Sequence, residues 1–246
     1  MGLEIVEQTP DLEAVIIHVG GAGLLAGVSL AIKTLRPKVK IVAVEAENVA
    51  SFSAALEAGK PTKIVMHPTL ADGLAISQVD SNAFRIAKPL VDLAVTVTEE
   101  QIALAILRLV ELEKSVVEGA AATPLAACMS GKLQELTGKR VVLLICGGNT
   151  DPNVLSRVIE RGLVADGRLG RFTAIISDRP GGLADLATQI ASTGASIKQV
   201  VHDRAFASSD VSAVNVLCTV ETRNHQHLAE LRALLKSHGV KTYDSK

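Results

Sequence analysis

Tryptophan is absent from this 246-residue chain, tyrosine occurs once (Tyr243) and phenylalanine four times, so aromatics make up only 2% of it. Any core must therefore be built almost entirely from Val, Ile, Leu and Ala, which a hydrophobic content of 48% can supply. The same shortage removes the stacking platform on which single-stranded nucleic acids are held. An excess of charge of one sign is also missing: 25 Lys+Arg face 26 Asp+Glu, a formal net charge of -1. That leaves no electrostatic footprint for nucleic acid. Cysteine is scarce, with Cys128, Cys146 and Cys218 forming no C-x-x-C. An odd, scattered set excludes a disulfide framework or zinc motif and points to a reducing, cytoplasmic setting. Long apolar runs are lacking too. The best candidate, residues 19–32, has 14 residues with three early glycines and Ser29, too short to span a bilayer. The opening MGLEIVEQTPD is acidic where a targeting peptide is basic. The expectation is a soluble protein with neither nucleic acid nor membrane as partner.

What is present alternates. Residues 14–19 (AVIIHV) form an apolar run, and a glycine turn at 20–23 opens an apolar helix through residue 34. Strands are predicted at 40–45, 93–97 and 140–146, and helices at 51–58, 99–113 and 118–136. Fully apolar strands separated by helices imply parallel strands covered on both faces, an α/β architecture. After a helix at 153–162 the pattern changes near VADGRLG. Strands at 172–177, 196–202, 213–220 and 240–243, with helices at 183–192 and 225–238, give the order β-α-β-β-α-β of a ferredoxin-like unit. Two domains are expected, residues 1–163 and 164–246. His225 and His227 stand two apart, pointing opposite ways on a helix, so no metal pair is expected there.

Three local features carry chemistry. Gly20, Gly21, Ala22 and Gly23, followed by Leu24, stand between a strand and a helix. Such a turn can present several N–H groups to one point, and the helix N-terminus adds partial positive charge, making an anion cradle. The pattern is neither G-x-G-x-x-G nor a P-loop. A phosphate there is held rather than transferred; the other reading is a tight, packed turn. Cys146 and Gly147 follow an apolar strand in C-G-G-N, at the same carboxyl edge where α/β sheets take ligands. That thiol can hydrogen-bond a ring nitrogen, or can be a structural cysteine. Glu118 opens the run E-G-A-A-A and can simply favour the helix dipole.

Taken in order, V-G-G-A-G-L-L-A-G, V-E-A-E, A-D-G-L-A, V-V-E-G-A-A-A and C-G-G-N resemble the serine/threonine dehydratase family over roughly residues 1–161. That family has fold type II of the pyridoxal 5'-phosphate (PLP) enzymes, a Rossmann-like three-layer architecture. Residues 162–246, with S-D-R-P-G-G-L, G-A-S-I and H-D-R, are similar to an ACT domain, the pairing found in ACT-bearing threonine ammonia-lyases.

The resemblance implies PLP as cofactor. Gly20, Gly21, Ala22, Gly23 and Leu24 match the loop that holds its phosphate through backbone N–H groups. Ala22 departs from all-glycine there, and the cradle is expected to survive if its φ is negative. Cys146, with Gly147 beside it, matches the position facing the pyridine nitrogen, and Glu118 matches a glutamate near that ring. A cation held in some relatives needs carboxylates where this chain has Glu45 and Ser51, so no metal is expected. The family's S-x-K-x-R motif, whose lysine carries the cofactor, is not found; Ser196-Ile-Lys198 lies in the ACT-like part and is a decoy. No catalytic residue is therefore assigned, and the fold type II domain is expected to be incomplete, with apolar faces uncovered. Two functions follow from the resemblance. One is an L-threonine/L-serine ammonia-lyase of amino-acid catabolism or isoleucine biosynthesis, making a 2-oxo acid and ammonia, with this chain inactive alone. The other is a truncated, non-catalytic module acting through its ACT-like part, as an amino-acid sensor or as a partner for full-length subunits, with effector contacts at Asp178, Gly181, Gly182 and Leu183. A homo-oligomer is the expected assembly in either case.

Overall fold

The computed structural model describes residues 1–204 and 212–244. It divides into two compact units, Met1–Gly162 and Leu163–Lys246.

In the first unit, helix α1 (Gly2–Gln8) precedes strand β1 (Ala14–His18), helix α2 (Gly23–Leu35) and strand β2 (Lys40–Ala46). Helices α3 (Ser51–Ala58) and α4 (Ser81–Ala87), strand β3 (Leu93–Val97) and helix α5 (Glu99–Arg108) follow. A π-helical turn, Leu109–Glu113, extends α5; then come α6 (Gly119–Met129) and β4 (Val141–Leu143). The four strands are parallel in the order β3-β2-β1-β4. Period-two alternation sorts β1 between two cores. Ala14 and Ile16 join Ile102, Ile106, Ala120 and Ala121 of α5 and α6 on one face. Val15 and Ile17 join Leu25, Ile32, Phe52 and Phe84 of α2, α3 and α4 on the other. β2 splits the same way, Val42 and Val44 against Ile41 and Ala43. That double burial is why these strands are continuously apolar, and it gives the three layers of an α/β unit.

Three elements are shorter than their sequence predicts. The helix expected over 118–136 ends at Met129, because Gly131 turns to φ +76° and only a 3-10 turn, Gln134–Leu136, follows. Inside α6, Pro124 has no N–H for the Ala120 carbonyl, and the Thr123 hydroxyl donates to that oxygen instead at 2.9 Å. The strand expected over 140–146 pairs only through Leu143. β4 is an edge strand, and its partner β1 gives way to the glycine loop just past the Ile16–Leu143 register. The helix expected over 99–113 is regular only to Arg108; its start is set by a capping box between Thr98 and Gln101.

Helix α7 (Pro152–Ala165) leads into the second unit. There β5 (Leu169–Ser177), α8 (Gly182–Ser192), β6 (Ser196–Asp203), β7 (Ala213–Glu221), α9 (His225–Ser237) and β8 (Lys241–Asp244) make the βαββαβ order. The sheet is antiparallel, ordered β6-β7-β5-β8. Phe172, Ala174, Val214, Val216 and Cys218 form its inward face, covered by Leu186 and Ile190 of α8 and Leu231 and Leu235 of α9. His227 is tied into this unit by its ring, accepting the Arg223 N–H at Nδ1 with Nε2 2.9 Å from the Thr193 carbonyl. No helix among the described residues is long and apolar enough to cross a membrane.

Candidate functional site

β1 and β4 are neighbours, so the loops leaving their carboxyl ends meet, although about 120 residues separate them in sequence. The first is Gly20–Gly23. Among the described residues, no acceptor is found for the N–H groups of Gly20, Gly21, Ala22, Gly23 or Leu24. A Cβ placed on Gly21 or Gly23 would meet nothing within 4 Å, so approach to those amides is open. Ala22 is the N-cap of α2 and adopts φ +67°, ψ 3°, the left-handed region, with its methyl buried at 2% exposure. The expected condition for survival of the cradle, a negative φ, is not met. A left-handed residue beside a helix start is itself the backbone nest that gathers successive N–H groups. The buried methyl belongs to the core cluster with Leu25 and Ile17.

The second loop runs through Cys146 and Gly147 to Asn149. Glu118, the N-cap residue of α6, clamps it at both ends. Its N–H donates to the Gly147 carbonyl (3.2 Å), and its carboxylate accepts the Asn149 N–H (3.1 Å). Gly147 holds φ +149°, and a Cβ there would lie 2.4 Å from the Glu118 carboxylate, so glycine is required twice over. The A-D-G-L-A segment packs between the loops, with Leu74 against Gly20 and Gly73 beside Glu118. A Cβ on Gly119 would strike the Leu70 carbonyl at 2.0 Å, which is how that segment comes so near α6.

One residue joins this group that motif reading left out. His18, the last residue of β1, places Nε2 3.3 Å from Cys146 Sγ. Burial pushes the His18 imidazole below its usual range, and Glu118 pulls it back up. Burial first, and Glu118 second, push the Cys146 thiol above its usual range. A neutral imidazole therefore faces a protonated thiol near neutral pH. Its position at a strand's carboxyl end, next to the glycine loop, was the available signal.

The remaining expectations fall as follows. Glu45, 1% exposed at the end of β2, accepts the N–H groups of Phe52 (2.6 Å) and Ser53 (2.8 Å) and the Ser53 hydroxyl (2.6 Å). Its oxygens cap α3, and Ser51 Oγ is buried without a partner. A cavity of about 240 Å³ lies beside Glu118, lined also by Asp72, Asn149 and Thr150. A larger one, about 940 Å³, is lined by Leu112, Leu125, Met129, Leu143 and Ile145, with Arg108, Glu113 and Ser115 also on its wall. In the second unit, Asp178 is held by Arg204 in a two-pronged pair (2.7 and 3.0 Å), which keeps its carboxyl low, followed by Gly181 at φ +96° as N-cap of α8. Gly182 packs against the Ser177 carbonyl, and Leu183 is partly exposed.

The parallel α/β sheet thus sets an open turn of N–H groups after one strand beside a glycine-bordered cysteine after its neighbour, at the sheet edge where such folds take ligands. The family model for pyridoxal-phosphate dependent enzymes matches residues 1–147, and the chain belongs to that family. It is 41% identical to an L-threonine ammonia-lyase of Geobacter sulfurreducens and 40% identical to one of Thermotoga maritima. Each match covers 239 residues, 97% of this chain, and the chain spans 59% of the length of each relative. Among solved structures it is similar to processed threonine deaminase isoform 2 of Solanum lycopersicum, with 32% identity and a TM-score of 0.62. That match covers 65% of this chain and 47% of the other.

Proposed function

We propose that this chain carries the phosphate-holding and ring-nitrogen side of a PLP-dependent L-threonine/L-serine ammonia-lyase, which releases a 2-oxo acid and ammonia. The observation that carries the reading is the set of unpaired N–H groups at residues 20–24 beside Cys146. Gly20 to Leu24 hold the phosphate. Cys146 faces the ring nitrogen, with Glu118 and Gly147 forming the wall next to it. PLP, when bound, supplies a ring that draws electrons from the substrate's α-carbon. A neutral thiol rather than a carboxylate at the ring nitrogen leaves that pull moderate, which suits loss of a β-hydroxyl. Burial and the Glu118 charge keep the thiol protonated for this role.

No S-x-K-x-R motif stands in the 246 residues, so this chain by itself is expected to turn over no threonine. The test is equilibrium dialysis of PLP against the chain, with inorganic phosphate as competitor, beside an assay of 2-oxobutanoate from threonine. The reading expects PLP bound, phosphate displacing it, and no product. Retention of PLP unaffected by phosphate would overturn the cradle assignment. The βαββαβ unit favours a second role, an ACT-type domain taking an amino acid effector. Its candidate contacts are Asp178 and the Gly181, Gly182 and Leu183 loop. Homo-oligomers are the assembly this role expects.

A further inference from the structure

His18 and Cys146 form a contact that the phosphate loop does not need and the ring contact does not explain. It has a directional consequence. The thiol has one proton. With Nε2 3.3 Å from Sγ, either S–H donates to Nε2, or Nε2–H donates to the sulfur. In the first arrangement only sulfur lone pairs face the far side, where they would repel the lone pair of an unprotonated ring nitrogen. In the second, the S–H is released toward that side. A neutral imidazole can adopt either by moving its proton between Nδ1 and Nε2, with no net change in charge. The charged neighbour is Glu118, which acts on both groups.

We propose that His18 is a positioning residue for Cys146: Nε2–H holds the sulfur, so that the thiol proton is directed to the nitrogen of the cofactor's pyridine ring. This rests on the assignment of Cys146 above, and it makes the chain of donors run Nε2–H to Sγ–H to ring nitrogen. His18 is then what makes a cysteine serve there as a donor. An apolar side chain at position 18 would leave the thiol free to rotate, with no preferred direction.

The experiment follows Cys146 alkylation by iodoacetamide, read at that peptide by mass spectrometry, in the unmodified chain, His18→Leu and His18→Gln. Circular dichroism checks that each variant is folded. A hydrogen-bond donor to sulfur stabilises the developing thiolate, so His18→Leu is expected to slow alkylation severalfold. His18→Gln, whose amide keeps an N–H donor, is expected to stay near the parent rate. PLP affinity by dialysis should fall severalfold in His18→Leu and be largely kept in His18→Gln. Alkylation in His18→Leu as fast as the parent, or faster, is what mere packing predicts, because a side chain of similar bulk then covers the thiol no more than before; it would overturn the proposal. So would a Gln variant as slow as Leu. If PLP fails to shield Cys146 in the parent chain, the cofactor assignment falls instead, while the alkylation rates still decide whether His18 donates to the sulfur.

Discussion

Ala22 is the residue at which the local rule and the tertiary fold disagree. A left-handed backbone costs an L-residue about 1–2 kcal/mol, and three neighbouring glycines could have taken it for less. The buried methyl explains the choice, since removing one such group from water contributes ~0.8 kcal/mol. The two terms nearly offset. Ala22→Gly is therefore expected to change unfolding free energy by less than about 1 kcal/mol in urea melts. Ala22→Val places a β-branched side chain in the same conformation and is expected to cost about 2 kcal/mol or more, with weakened PLP retention. The loop itself was legible as a glycine-rich strand-to-helix turn. Its dihedral was not, because burial of that methyl against Ile17 and Leu25 is decided by helix packing and not by the four residues.

At the scale of the element, α3 starts against a buried carboxylate instead of a capping side chain of its own. Burial raises the Glu45 carboxyl above its ordinary value of 4.5, and the Ser53 and Phe52 donors hold it back. A carboxyl raised on folding binds its proton more tightly in the folded chain. Its contribution is thus fully present below the unfolded value and is lost as pH rises through the folded one. Glu45→Gln is expected to flatten that decline from about pH 4.5 upward, seen as a shallower slope of urea midpoint against pH. An unchanged slope would show that the three donors cancel the burial. Elements buried on two faces, β1 and β2, announced themselves as unbroken apolar runs. Helix α4, SNAFRIA, did not: seven residues give too few turns to show a period, and its start is set by Asp80 accepting the Asn82 and Ala83 N–H groups. β4 was read too long because an apolar run carries no sign that its partner strand stops.

At the scale of the whole molecule, Tyr243 lies in β8 and is the single tyrosine of a chain without tryptophan, so its emission reports the second unit alone. Leu235, fully buried in that unit's core, is expected on conversion to Ala to lower the tyrosine-monitored stability by about 2–5 kcal/mol. The βαββαβ order could be read from strand and turn spacing because each element carries its own local pattern, although only the β6–β7 ladder joins consecutive strands. The pairing of His18 with Cys146 could not, since only the β1–β4 ladder brings them together. That ladder has a further consequence, in time. Parallel strands at the ends of so long a segment are among the last contacts a chain closes. A ribosome must release residue 146 before the thiol can meet its imidazole, whereas the N–H cradle needs little more than β1 and the first turns of α2. The loop proposed to grip a phosphate therefore exists, in outline, long before the wall proposed to recognise what that phosphate is attached to.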